Sequence, residues 1–169
     1  MPKLPIISNY MNKTYLLLGS NLNNPAKQLK IARELIKKEL GPIGRQSAVY
    51  STAAWGKHDQ PDFQNQVLII ETKQSPQETM QTLLAIESKM GRVRKQKNDP
   101  RIIDLDILFY NKCILNEPLV TLPHPHIANR RFVLVPLNEL SPNLIHPVHQ
   151  KTIHQLLRVC KDTLPVNKM

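Results

Sequence analysis

Apolar positions divide this chain into strand-like runs and helix-like stripes. Thr14-Tyr15-Leu16-Leu17-Leu18 is a continuous run closed by Gly19, the pattern of a buried strand. Residues 20–24 are turn material, and Asn24-Pro25 supplies an N-cap and a first-turn proline for a helix. That helix carries Leu29, Ala32, Leu35, Ile36 and Leu40 at helical spacing and stops at Gly41-Pro42. Residues 46–50 and 63–72 predict a second and a third strand, separated by an irregular loop. Ser75-Pro76-Gln77-Glu78 is a capping box with proline at the first helical position, and its helix runs to about Met90. Residues 102–109 are again dense in apolar side chains and short enough for a buried strand.

Beyond that strand the pattern weakens. Tyr110-Asn111-Lys112 predicts a hairpin turn, residues 113–115 its return strand, and residues 119–122 a further extended piece. Pro123-His124-Pro125-His126 suits neither a helix interior nor a central strand, because each proline removes an amide donor. An apolar run after Arg131 is broken at Pro136, and Thr152-Ile153-His154-Gln155 opens a final short helix through Val159. The order strand, helix, strand, strand, helix, strand predicts an α+β, ferredoxin-like sandwich. Its sheet is mainly antiparallel, with helices on one face and additional C-terminal elements. The first and fourth strands are expected side by side at the sheet centre. Residues 1–13 read as a loose N-terminal extension without a secretory signal, and 14–169 as a single domain.

Two acids, Asp104 and Asp106, interrupt the fourth strand. Alternate strand residues share a face, so the carboxylates project together, roughly 7 Å apart at the backbone. Ile103, Leu105 and Ile107 take the other face. Like charges on a mostly buried strand repel each other and resist desolvation. A hard divalent cation reverses both penalties, and an all-oxygen site completed by water and phosphate suits Mg²⁺. The preceding loop supplies the complement, with Arg92, Arg94, Lys95 and Lys97, then Arg101. Guanidinium groups meet phosphate oxygens in pairs, while lysine acts as a point charge. Carboxylates for metal beside arginines for phosphate are the working parts of phosphoryl transfer. For Asp-x-Asp alone, a half-exposed strand with ordinary Asp–Arg pairs is the plainer account; the adjoining basic loop favours the functional one. Glu87 falls within the apolar stripe of its helix. Either it pairs with a loop lysine at the stripe's edge, or it enters a pocket beside the basic loop.

Charge narrows the partners. A net charge of +10 and a pI near 9.8 imply nucleotide phosphate, nucleic acid or an acidic surface. Gly-x-x-x-x-Gly-Lys and Gly-x-Gly-x-x-Gly are both absent, so a bound nucleotide must be held by metal and arginines. Cys113 and Cys160 are too few and too separate for a disulfide framework or a zinc site. With no apolar run of membrane-spanning length, a cytoplasmic protein without a membrane partner is expected. His124 and His126, with His146 or His149, suggest zinc only weakly, since nothing completes a ligand set. His124 reads instead as a donor to an anionic ligand, or as an ordinary loop hydrogen bond. A basic, non-catalytic nucleotide- or RNA-binding module is the alternative, but aromatics are only 5% and none joins the basic loop. Thr52, Trp55, Phe63 and Asn65 bring rings and an amide to the ends of the second and third strands. A flat heteroaromatic substrate needs such groups, although Trp55 and Phe63 would serve equally as core.

The motifs carrying a family likeness are Leu18-Gly19-Ser20-Asn21-Leu22, Tyr50-Ser51-Thr52 through Gly56, and Gln60-Pro61-Asp62-Phe63-Gln64-Asn65. They continue with Gly91-Arg92-Val93-Arg94, Pro100-Arg101 through Asp104-Leu105-Asp106, and Pro123-His124 with Asn129-Arg130 and Phe132. In this order, over roughly residues 14–147, the chain resembles the 6-hydroxymethyl-7,8-dihydropterin pyrophosphokinases of folate biosynthesis. The resemblance implies transfer of the β,γ-pyrophosphoryl unit of ATP to the hydroxymethyl group of the reduced pterin, leaving AMP. It implies two Mg²⁺ ions on Asp104 and Asp106, with Arg92 and Arg101 neutralising charge on the transferred phosphates. It implies Glu87, Arg94, Ile107, Thr121, His124 and Arg130 around ATP, and Thr52, Ala53, Trp55, Phe63, Asn65 and Phe132 around the pterin. Nothing demands assembly, so a monomer acting on small molecules, not nucleic acid, is expected. Loops 19–24, 52–62 and 92–100 are expected to close over the substrates. Three departures stand out. Many members carry a tryptophan shortly before Arg101, in a loop one residue longer. Leu84 replaces a glutamine of some members, and Ala53 a proline of many.

Overall fold

The computed structural model describes residues 11–56, 59–94 and 96–169. Its apolar run makes β1 (Asn12–Ser20) the spine of the sheet, antiparallel to β4 (Phe63–Thr72) on one side and β5 (Asp104–Tyr110) on the other. β2 (Ile43–Gln46) and β3 (Tyr50–Thr52) both pair with β4, and β8 (Val166–Lys168) adds to β3. The main path is β5-β1-β4-β3-β8, so β5 adjoins β1 as expected but lies at an edge, not at the centre. The prolines that follow explain this: the chain after β5 offers no long strand. It covers the edge with a turn in which the His124 amide donates to the Leu108 carbonyl at 3.0 Å.

Three other expectations need correction, and one stretch with no expected element gains one. The strand expected at 46–50 is two strands, with the break at 47–49. There the Ser47 hydroxyl accepts from the Val67 amide at 3.0 Å, and the Ser47 carbonyl accepts from Gln66 Nε2 at 2.7 Å, replacing regular pairing. Residues 113–115 do not return along β5; β6 (Leu115–Asn116) forms a separate small hairpin with β7 (Thr121–Leu122). β1 starts at Asn12, inside the expected extension, because the Asn12 amide anchors to the Thr72 carbonyl; residues 1–10 lie outside the described residues. The broken apolar run is a helix, α3 (Arg131–Leu140), with Pro136 inside it. An interior proline costs about 3 kcal/mol or more, while burying Val133, Leu134, Leu137 and Leu140 returns about 1.5–3 kcal/mol each.

α1 (Pro25–Glu39) and α2 (Pro76–Lys89) begin as expected, with Asn24 and Ser75 as caps and proline in the first turn. Both pack on one sheet face over Leu16, Leu18, Leu68, Ile70, Leu105 and Ile107. Tyr15, Leu17, Val67, Ile69 and Leu108 face the other way, under α3 and α4 (Ile153–Val159). The acids emerge on this second face. Register sets Asp104 beside Gly19 and Asn65, and Asp106 beside Leu17 and Val67.

Candidate active site

Two recesses meet over that end of the sheet. The first is lined by Thr52, Ala53, Trp55, Phe63, Asn65 and Phe132 together with Asp104 and Asp106. The second is lined by Arg92, Arg94, Gln96, Lys97 and Asp99. Asn98, Arg101, Asp104 and Arg130 border both, so the recesses adjoin at the Asp104 carboxylate and the two arginines. All six residues expected around a pterin share the first recess, and four of the expected phosphate residues border the second.

Asn65 donates its amide to Thr52 Oγ1 at 2.8 Å, which fixes the side chain across the strand. Its Oδ1 lies over Gly19, where a Cβ would sit 2.9 Å away. The rings of Trp55 and Phe132 have centroids 6.4 Å apart and planes inclined at 55°. The Arg130 guanidinium lies 5.8 Å from the Trp55 centroid and 5.9 Å from that of Phe132. Arg101 lies 5.0 Å over Phe63. Aromatic faces plus one fixed amide suit a flat, hydrogen-bonding ring.

The acids differ in what compensates them. Asp104 accepts from Arg92 Nη1 at 2.6 Å and lies 3.4 Å from Arg101 Nε, an ion-pair contact without hydrogen-bond geometry. Asp106 accepts no hydrogen bond among the described residues, and its nearest paired cationic candidate is His124 Nε2 at 4.0 Å. Burial, with the charges of Asp104 and Glu87 added, pushes the Asp106 carboxyl up to about 7. Arg101 Nε and Arg130 Nε are buried donors with no hydrogen-bond partner among the described residues. Guanidinium donors without a partner among the described residues, beside a carboxylate whose burial outweighs the pull of Arg130 and Arg92, fit a bound anion and a bound cation together. Among the described residues no third His, Cys, Asp or Glu joins the pair as a metal-ligating group. An all-oxygen, two-carboxylate set that leaves the other positions to phosphate and water fits Mg²⁺.

Glu87 answers the question its helical position posed. It is buried, and Oε1 accepts from Arg92 Nη1 at 2.7 Å and from the Leu105 amide at 2.8 Å. Oε2 accepts from Arg94 Nη2 at 2.9 Å. Among the described residues its side-chain partners are therefore loop arginines, and it borders neither recess. Burial raises its pKa, against the Leu105 amide and Arg92. Ile107 lies in the α1–α2 core, since strand alternation turns its side chain away from the acids, and it borders neither recess. Thr121 lies in β7 and also borders neither recess. Lys95 is outside the described residues. Burial, then Arg130 and His126, lowers the His124 pKa to about 4, so the ring is neutral at pH 7. Its Nδ1 accepts from the His126 amide at 3.1 Å, which assigns the ring proton to Nε2, facing Asp106.

Residues 15–142 match the family described as 7,8-dihydro-6-hydroxymethylpterin-pyrophosphokinase, HPPK. The chain belongs to the HPPK family. A 2-amino-4-hydroxy-6-hydroxymethyldihydropteridine pyrophosphokinase of Haemophilus influenzae is 40% identical over 141 residues, 83% of this chain and 88% of that protein. The folic acid synthesis protein fol1 of Schizosaccharomyces pombe is 38% identical over 152 residues, 89% of this chain but 20% of that protein. The wild-type Plasmodium falciparum HPPK-DHPS crystal structure has a TM-score of 0.73 at 19% identity, covering 88% of this chain and 44% of that one; it supports the fold alone. The chain thus spans about a fifth of the yeast relative and under half of the Plasmodium chain. As an HPPK it is a transferase of folate synthesis that moves pyrophosphate from ATP to hydroxymethyldihydropterin. The nucleic-acid alternative is left without support.

The HPPK motifs also contain residues to which the sequence lent no role. Asn21 Nδ2 donates to Gln60 Oε1 at 2.8 Å and to the Pro61 carbonyl at 3.0 Å, and Asn21 Oδ1 accepts from the Arg101 amide at 2.9 Å. Gln60 Nε2 donates to the Asn98 carbonyl at 2.9 Å. These bonds join the three loops. In a loop without the tryptophan of many members, Asn98 stands in a left-handed conformation, φ 64°, with its amide against Gly56. Asparagine tolerates that conformation better than most residues, which was the available signal. Gly19 carries a prediction. A Gly19→Ala methyl would displace the Asn65 amide, and the pterin KM is expected to rise about tenfold, the worth of one hydrogen bond. Steady-state kinetics checks this; a KM within about twofold of the parent would contradict it.

Proposed function

We propose that Asp104 and Asp106 hold two Mg²⁺ ions with ATP, and that pyrophosphate passes from ATP to the pterin where the two recesses meet. The observation that carries this is Asp106, which accepts no hydrogen bond among the described residues and whose pKa is raised by burial, beside Nε groups of Arg101 and Arg130 that lack a partner among those residues. When bound, Mg²⁺ neutralises phosphate oxygens and aligns an in-line displacement. Thr52 orients the Asn65 amide for the edge of the pterin ring, and Trp55 and Phe132 take its faces, with Ala53 and Phe63 closing the pocket. Arg101 and Arg130 receive the developing negative charge. Arg92 is aimed by Glu87, and Arg94 extends the phosphate side. His124, neutral, offers Nε2–H to the nucleotide; in our reading any part for Ile107 is through its backbone, and Thr121 lies further out. The pterin hydroxyl oxygen forms a bond to the β-phosphorus as the bond from that phosphorus to the α,β-bridging oxygen breaks. The hydroxyl proton is lost, and AMP and the pterin diphosphate leave. We read the protein as a monomer, acting on water-soluble substrates in the cytoplasm.

Nucleotides formed from Mg-ATP with and without 6-hydroxymethyl-7,8-dihydropterin test the reading. Pterin-dependent AMP, one per pterin diphosphate, is expected. Pterin-dependent ADP would make it an ordinary kinase. No turnover at all would turn attention to a binding role, measured as salt-dependent RNA affinity.

A further inference from the structure

We propose that the C-terminal segment, residues 160–169, is a strap that sets the width of the pterin cleft, with Asp162 as its positioning residue. α3 starts without a cap of its own: Arg130, at its N-cap, is extended and its side chain caps nothing. Asp162 does this from a distance. Its Oδ2 accepts from the Arg131 amide at 2.9 Å, and its Oδ1 accepts from the Leu164 amide at 3.0 Å. Free amides and the partial positive charge of a helix start both favour a carboxylate there. The Arg131 amide lies between Arg130 and Phe132, whose side chains line the first recess. Holding that one peptide therefore fixes both.

The same segment then reaches β3, whose Thr52 also lines the first recess. Val166 pairs with Thr52, Asn167 with Ser51 and Lys168 with Tyr50. The Met169 amide donates to the Val49 carbonyl at 3.0 Å. Lys168 Nζ lies 3.4 Å from Glu139 Oε1, and Glu139 Oε2 accepts from the Ala48 amide at 2.8 Å, so α3 and the approach to β3 are tied again. One short segment thus grips the wall with Phe132 and the wall with Thr52. It lies beyond residues 15–142, the part matched by the family.

The inference rests on reading Phe132 as a pterin residue, so the test includes Phe132→Ala. In the full chain, pterin KM and kcat are measured for Asp162→Ala, Asp162→Asn and Thr152→Ala. Thr152 caps α4, which carries no residue of either recess. Asp162→Ala is expected to raise the pterin KM about tenfold with kcat within about twofold, the scale of one lost cap. Asp162→Asn, which keeps one acceptor, should raise it about threefold. Thr152→Ala should lower the melting temperature without moving KM. An equal rise in Thr152→Ala would reduce the strap to general stability and overturn the proposal. So would unchanged KM in both Asp162 variants while Phe132→Ala raises it; if Asp162→Ala does not fold, Asp162→Asn decides. Unchanged KM in Phe132→Ala would overturn the site reading, and the strap with it.

Discussion

Asp106→Asn is expected to lower pyrophosphoryl transfer by about a thousandfold or more while leaving the chain folded, because a divalent cation supplies several kcal/mol of charge stabilisation that an amide cannot anchor. Asp104→Asn should behave alike, with the added weakening of its contact with Arg92, which would keep an acceptor but lose the opposite charge. Rates near normal in either variant would sink the metal assignment. Stability separates this from simple misfolding. In the metal-free chain the Asp106 pKa is raised to about 7, against about 4 for an unfolded aspartate. The folded chain then binds the proton more tightly than the unfolded one, so stability falls as pH rises from about 4 to about 7. Asparagine has no charge to bury, and Asp106→Asn should melt above the parent at pH 8 without metal. A variant that melts lower there would point to a structural role.

Arg101→Ala is expected to lower kcat about a thousandfold while weakening ATP binding less than about tenfold, as for an arginine that meets charge formed in the transition state. The fold around it gives reason to expect a clean result. The Arg101 backbone is held in both directions by Asn21, through the amide at 2.9 Å and the carbonyl at 3.2 Å, whatever its side chain. Truncation removes the guanidinium over Phe63 and leaves the loop tied. Pre-steady-state phosphate chemistry and an ATP titration separate the two quantities. Equal losses in both would make Arg101 a substrate-positioning group only.

What the sequence made legible were features written in short-range periodicity. The face shared by Asp104 and Asp106, the capping box at Ser75 and the limits of β4 all depend on neighbours within a few residues, and all stand as read. The misreadings came where distant contacts decide. Pro136 breaks a helical pattern locally, but four buried side chains against the sheet outweigh it. Residues 46–50 look like one strand until Ser47 and Glu139 take their backbone bonds elsewhere. β8 carries too little apolar character to stand out and exists by pairing with β3. In the site, residue types identified the acids, arginines and rings, but not who holds whom. Glu87 as the buried anchor of Arg92 and Arg94, Asn21 as the tie between loops and Asp162 as the cap of α3 are facts of tertiary geometry alone.

The most direct test of the proposed metal site at the Asp pair is a count of divalent ions. Mn²⁺ would be titrated into the chain with 6-hydroxymethyl-7,8-dihydropterin and α,β-methylene-ATP, and the bound fraction read by electron paramagnetic resonance. Two ions per chain are predicted for the parent, with one or both lost in Asp104→Asn and in Asp106→Asn. The same count in parent and variants would contradict the account.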